Sequence, residues 1–122
     1  MNTNEKVQQN TEIHKYDVFY VDLGTTRNGS IQHGNRPCMV VGNNVGNKYA
    51  PILLVVPITT RKKKFLPTHL KVDKEDGLPY NSTLLCEQIM TIPKEQLGEK
   101  ICSLEEKAKA IDKKLHISLG LD

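Results

Sequence analysis

Two side chains stand where they could act together on a phosphodiester. Arg36 closes a polar, glycine-containing loop and is followed by Pro37, whose ring fixes φ and biases the preceding residue towards extended geometry. An arginine so placed projects from a fixed base, always charged, with a planar fork of donors that suits phosphate oxygens. Thr59 and Thr60 end an apolar run and each offers a hydroxyl, on opposite sides if the strand persists, so residue type alone does not choose between them. A guanidinium and a hydroxyl could share the charge of a pentavalent phosphorane, the species formed when an RNA 2′-hydroxyl attacks its own phosphate. Taken alone, Arg36 reads more readily as one half of an ion pair at a strand end, and Thr59 as a strand residue or a local turn bond.

Such a reaction also needs a base and an acid. Histidine suits both roles near neutral pH, whereas arginine does not readily give up its proton. His33, three residues before Arg36, is the candidate acid–base group. His69, at the end of Leu66-Pro67-Thr68-His69, is the other histidine in a motif-bearing segment. An exposed bystander is the plainer account of a loop histidine.

Around these residues lie groups suited to RNA. Gly29, Ser30, Ile31 and Gln32 form the loop ahead of Arg36, and Ser30 and Gln32 carry groups for phosphates or base edges. Arg61-Lys62-Lys63-Lys64 follows Thr59 directly and would draw in a nucleic-acid backbone, with Arg61 and Lys64 as candidate contacts. It reads equally well as a solvated run that guards a sheet edge. Phe65 beside the lysines could stack on a base, but core packing is the simpler reading.

The segment Gly29-Ser30-x-Gln32-x-Gly34-x-Arg36-Pro37 resembles the loop of the MazF/PemK endoribonuclease toxins. The resemblance continues in order through Val-Pro-Ile-Thr-Thr at Val56 to Thr60, then Leu66-Pro67-Thr68-His69 and Glu87-Gln88-Ile89. It covers the chain from about Tyr16 onward. It implies that Arg36 and Thr59 are catalytic and that the loop residues, Leu66, Pro67, Glu87 and Gln88 contact RNA. It implies single-stranded RNA, in particular mRNA, cut at a short sequence to 2′,3′-cyclic phosphate and 5′-hydroxyl ends. It also implies a homodimer and a cognate antitoxin whose acidic, extended tail fills the RNA groove. One departure concerns specificity. Ile31 stands where many relatives have glutamate, and isoleucine cannot accept a hydrogen bond from a base.

The rest of the chain must position these groups. At 122 residues it is one domain, and with no Trp and 5% aromatic content its core must be Val, Ile and Leu. The net charge of +3 permits an anionic partner without demanding one. No apolar run nears the ~20 residues of a membrane helix, and the N-terminus lacks a signal-peptide pattern, so a cytoplasmic location is the default. Cys38, Cys86 and Cys102 are scattered and read as buried reduced thiols. No phosphate-cradling nucleotide loop or metal-ligand spacing is present, so the reading calls for no metal and no cofactor.

Residues 1–15 read as a flexible leader and residues 16–122 as a single toxin-like domain. Strands are expected at Tyr16–Leu23, Arg36–Gly42, Pro51–Thr59 and Leu66–Val72, with one or two more across Ser82–Ile92. Asn43–Ala50 is expected to be a turn, Pro57 to mark an edge or bulge, and Pro93–Leu97 to make one helical turn. A helix is expected over Ser103–Leu119, opened by a Ser103–Glu106 capping box and stopped by Gly120, with Leu104, Ala108, Ile111, Leu115 and Leu119 on one face. This pattern predicts a mainly β fold, a small, strongly bent antiparallel sheet with a C-terminal amphipathic helix, and the family resemblance implies that the sheet is an SH3-like partly open barrel. Two rival functions fit the same frame. One is a gyrase-poisoning toxin like CcdB, disfavoured by the ending Leu119-Gly120-Leu121-Asp122 and the lack of Trp. The other is a non-enzymatic SH3-like binding module, disfavoured by the few aromatics.

Overall fold

The computed structural model describes residues 12–25, 31–61 and 64–121. Seven strands form one antiparallel sheet: β1 (Asp17–Asp22), β2 (Asn35–Val40), β3 (Ile52–Thr59), β4 (His69–Val72), β5 (Ser82–Leu85), β6 (Met90–Pro93) and β7 (Leu97–Ser103). Two helices join them, α1 (Asn44–Tyr49) between β2 and β3 and α2 (Ala108–Leu119) at the C-terminal end. The strand order is β4-β5-β3-β2-β1-β7, and β6 also pairs with β3. The sheet is not closed, in keeping with the partly open barrel that the resemblance implies.

The bend is centred on β3. Ile52–Val55 pair with β6, whereas Ile58 and Thr59 pair with β5. Pro57 falls between these two segments, so the residue without a donor lies where that edge changes partner. β3 is therefore a central strand, and the expectation that Pro57 marks a sheet edge is corrected. Only the second half of β3 is covered on both faces; Ile52 and Leu54 in the first half are exposed.

Strand alternation builds two cores. On one face Val18, Met39, Val56, Ile58 and Leu84 meet Leu104, Ile111 and Leu115 from the C-terminal segment. On the other, Phe19, Cys38, Val40, Val55, Ile92 and Leu97 pack together. Burying a side chain the size of Ile111 contributes about 1.5–3 kcal/mol. Tertiary burial of this kind is what stabilises a 12-residue helix, marginal alone in water.

Several local expectations need correction. Asn43–Ala50 is not an open turn but a short helix: the Asn43 side chain accepts from the Gly46 N–H and starts α1. The strand β4 starts at His69, because Leu66–Thr68 forms a tight turn. β7 was not anticipated, since Leu-Gly-Glu-Lys-Ile-Cys-Ser has neither clean alternation nor an apolar run. α2 starts at Ala108 rather than Ser103. Ser103 belongs to β7, and its Oγ accepts from Glu105 N at 3.3 Å, so the capping box does not form. Leu119 is 57% exposed and leaves the packed face. Gly120 ends the helix in left-handed geometry, as expected, at φ 68°.

The chain enters this frame before Tyr16. His14 N donates to Asp17 Oδ2 and Lys15 N to Asn44 Oδ1. Tyr16 adopts φ 78°, a cost for a bulky side chain. Its N–H donates to Val40 O, its carbonyl accepts from Leu104 N, and its hydroxyl donates to Asp112 on α2 at 2.8 Å. These bonds hold strand β1, strand β2 and the helix segment at one corner.

Candidate active site

The β1–β2 connection is closed at its base by Leu23 N donating to Gly34 O and Gly34 N donating to Gly24 O. Gly34 has φ 80° with open space around it, so backbone conformation rather than crowding calls for glycine there. Next comes β2. Arg36 is half-buried, and its Nε donates to the His33 carbonyl at 2.7 Å. That bond fixes the guanidinium relative to the loop and leaves its terminal nitrogens to face a ligand.

The β2–β3 register sets what stands opposite. Cys38 pairs with Pro57, Met39 with Val56 and Val40 with Val55. Carried two residues past its last pair, this antiparallel register aligns Arg36 with Thr59. Both lie on the face of Cys38 and Val55, the second core. Thr59 is 2% exposed and pairs with Thr83 of β5. Its Oγ1 accepts from Arg61 N at 3.1 Å, which leaves the hydroxyl proton to donate elsewhere.

Charge at this corner favours an anion. The Arg36 guanidinium is held below the ordinary arginine range, first by burial; the Cys38 thiol opposes this, and the like charge of Arg61 adds to it. Two cations that feel each other gain when an anion arrives. Burial pushes the Cys38 thiol up to about 12, and burial followed by the Glu87 charge does the same to Cys86. Both stay protonated and buried, as expected of core thiols. Cys102 is half-buried rather than fully so.

Leu66-Pro67-Thr68-His69 forms a tight unit at the start of β4. His69 N donates to Leu66 O at 2.9 Å, and Leu66 N donates back to His69 Nδ1 at 3.1 Å. With Nδ1 accepting, the neutral ring carries its proton on Nε2, which donates to Glu87 Oε2 at 3.0 Å. Thr68 Oγ1 donates to the other carboxylate oxygen at 2.8 Å, and Lys114 Nζ of α2 donates to Pro67 O at 3.0 Å. Burial alone would raise Glu87, but these hydrogen bonds outweigh it and hold its carboxyl below the ordinary range. His69 is 2% exposed with both ring nitrogens engaged, so it serves the structure and is removed as an acid–base candidate.

The next residue closes a circuit. Gln88 Oε1 accepts from Gln32 N at 3.0 Å, tying the β5–β6 turn to the loop that ends at Arg36. The Gln32 side chain is buried, whereas Ile31 is 46% exposed. His33 Nδ1 lies 3.4 Å from Ile31 O. Arg61, Lys64, Leu66 and Pro67 are exposed along the stretch after β3. Gly29 and Ser30, with Lys62 and Lys63 of the basic run, lie outside the described residues. Among the described residues, no three His, Cys, Asp or Glu side chains converge as metal ligands would.

The fold is a small, mainly β domain whose open sheet carries Arg36 at a loop-to-strand junction with a second cation, Arg61, within electrostatic reach. Residues 14–119 match the family described as PemK-like, MazF-like toxin of type II toxin–antitoxin system, and the chain belongs to that family. Solved structures share the fold. The Mycobacterium tuberculosis toxin MazF-mt6 aligns with a TM-score of 0.73 and 25% identity over 87% of this chain and 98% of its own. A mycobacterial endoribonuclease in complex with its cognate antitoxin aligns at 0.74 and 24% identity, covering 89% and 96%. MazF from Deinococcus radiodurans aligns at 0.74 and 17% identity, covering 91% and 99%.

Proposed function

We propose that this protein is the toxin of a toxin–antitoxin pair and a sequence-specific endoribonuclease that needs no metal. The observation that supports the reading is the Arg36 guanidinium oriented by the His33 carbonyl at the head of β2, with Thr59 at the matching position when the β2–β3 register is carried past Cys38–Pro57. The substrate is single-stranded RNA, mRNA in the cell's cytoplasm. The 2′-oxygen attacks the adjacent phosphorus, the bond to the 5′-oxygen breaks, and the products end in 2′,3′-cyclic phosphate and 5′-hydroxyl. Arg36 and the Thr59 hydroxyl donate to the phosphoryl oxygens as charge develops there. His33 and a solvent water divide the two proton transfers, one taking the 2′-proton and the other protonating the leaving 5′-oxygen.

Thr59 is buried in the free protein, so RNA binding must displace what covers it. Exclusion of water then strengthens each donor at the phosphate. Specificity falls to groups beside the site, including Ile31, which offers a base only an apolar contact. Leu66, Pro67, Glu87 and Gln88 complete the RNA surface, with Glu87 held in place by His69 and Thr68. The active form is a homodimer, and an antitoxin with an acidic, extended tail inhibits it by occupying the same basic surface.

Cleavage of long mixed-sequence RNA by the purified protein in excess EDTA tests the reading. Fragments that map to a recurring short sequence and end in cyclic phosphate are the expected result. Intact RNA after incubation with folded protein would overturn it and favour gyrase poisoning or simple binding.

A further inference from the structure

We infer that Phe65 is a stacking platform for an unpaired RNA base, a contact that rests on the nuclease reading above. The expectation that Phe65 packs in the core is overturned: its ring is 50% exposed, whereas Phe19, the chain's other phenylalanine, is fully buried. An exposed phenyl ring on a loop usually lacks a fixed orientation, but this one is held. His69 meets it in a T-shaped contact, with centroids 5.6 Å apart and planes at 85°. His69 in turn is clamped by Leu66 N on one nitrogen and Glu87 on the other. A ring fixed in advance loses little freedom when a base stacks on it.

Its surroundings match RNA. Lys71 of β4 places its ammonium 5.6 Å from the Phe65 centroid, and Lys64 precedes the ring in sequence. Lys71 lies six residues after Phe65, and the turn at Leu66–Thr68 folds the chain back so that its charge reaches this ring. An aromatic face flanked by cations is the combination that holds single strands, the ring taking a base and the cations the backbone. The platform is also coupled to the proposed catalytic corner. Phe65 touches His69, His69 donates to Glu87, and the adjacent Gln88 accepts from Gln32 in the loop that leads to Arg36. A base seated on Phe65 would therefore help fix the register of the strand relative to that corner.

The test uses a 12-nucleotide 2′-O-methyl RNA, which lacks the attacking hydroxyl, with 2-aminopurine placed at successive positions. Binding to the full-length protein is followed by anisotropy and by 2-aminopurine quenching, alongside thermal unfolding. Phe65→Leu should weaken binding on the order of tenfold and abolish quenching at one position, and Phe65→Tyr should retain both. Equal affinity and quenching in wild type and Phe65→Leu would overturn the platform. Cleavage of ordinary RNA is scored separately. Cutting with no dependence of binding on Phe65 overturns the platform alone. Phe65-dependent binding without cutting overturns the nuclease and leaves the platform standing, and neither binding nor cutting overturns both.

Discussion

The β2–β3 pairing ends at Cys38–Pro57, and carrying its register two residues further aligns Arg36 of β2 with Thr59 of β3. Substitution of either should therefore cost activity without unfolding the domain. Arg36→Ala should slow RNA cleavage on the order of 10²–10³-fold, the loss seen when one preorganised donor to a developing oxyanion is removed. Thr59→Val, which keeps shape and burial, should lose cleavage in the same sense but by less. Initial rates on a mapped RNA, with circular dichroism as the folding control, check both. Unchanged cleavage in Arg36→Ala would mean that the catalytic site lies elsewhere.

His33 contributes to this corner twice, through a carbonyl that holds Arg36 Nε and through an imidazole in the same loop. His33→Ala removes only the imidazole. If that ring moves the proton, wild-type cleavage should vary with pH between 5 and 8, and His33→Ala should flatten the profile and lower the rate on the order of 10²-fold. A flat profile that is identical in both proteins would exclude His33 from proton transfer.

Glu87 links pH to stability. His69 Nε2 and Thr68 Oγ1 both donate to its carboxylate, which is held below the ordinary carboxylate range. A depressed folded value stabilises the protein above the unfolded carboxyl value of about 4.3, and that contribution is lost as the pH falls through the folded value. Glu87→Gln should cost about 1 kcal/mol at pH 7, a modest figure because the side chain is 30% exposed. Denaturant melts from pH 7 to pH 3 should show wild type losing its advantage over Glu87→Gln below about pH 5. A constant gap across that range would contradict the pairing.

The exposed cations make binding salt-dependent. Each of Arg61, Lys64 and Lys71 that meets a phosphate releases a counterion, so its replacement by Ala should lower the slope of log affinity against log salt by about 0.7. Titrations of single-stranded RNA at several salt concentrations measure that slope. An unchanged slope in Arg61→Ala would assign the residue to the surface rather than to RNA.

By itself the sequence determined the strands whose apolar alternation is strong, the stop at Gly120 and the motif residues Arg36 and Thr59, because period, turn chemistry and residue type are local properties. It also marked Leu66-Pro67-Thr68-His69 and Glu87-Gln88 as segments of interest. It did not reveal β7, whose polar residues form a strand because β1 supplies a partner. Nor did it reveal α1, which a single asparagine cap and the closure between β2 and β3 select over an open turn. Only the tertiary structure decided what the marked residues do to one another. The β2–β3 register, carried past Cys38–Pro57, aligns Arg36 with Thr59, although 22 residues separate them in the chain. Strand pairing brings His69 to Glu87 and so turns a histidine that reads as a proton carrier into a buried clamp. The same clamp holds Phe65 at the surface, since neither the ring's exposure nor the ammonium above it is encoded in its neighbours along the chain.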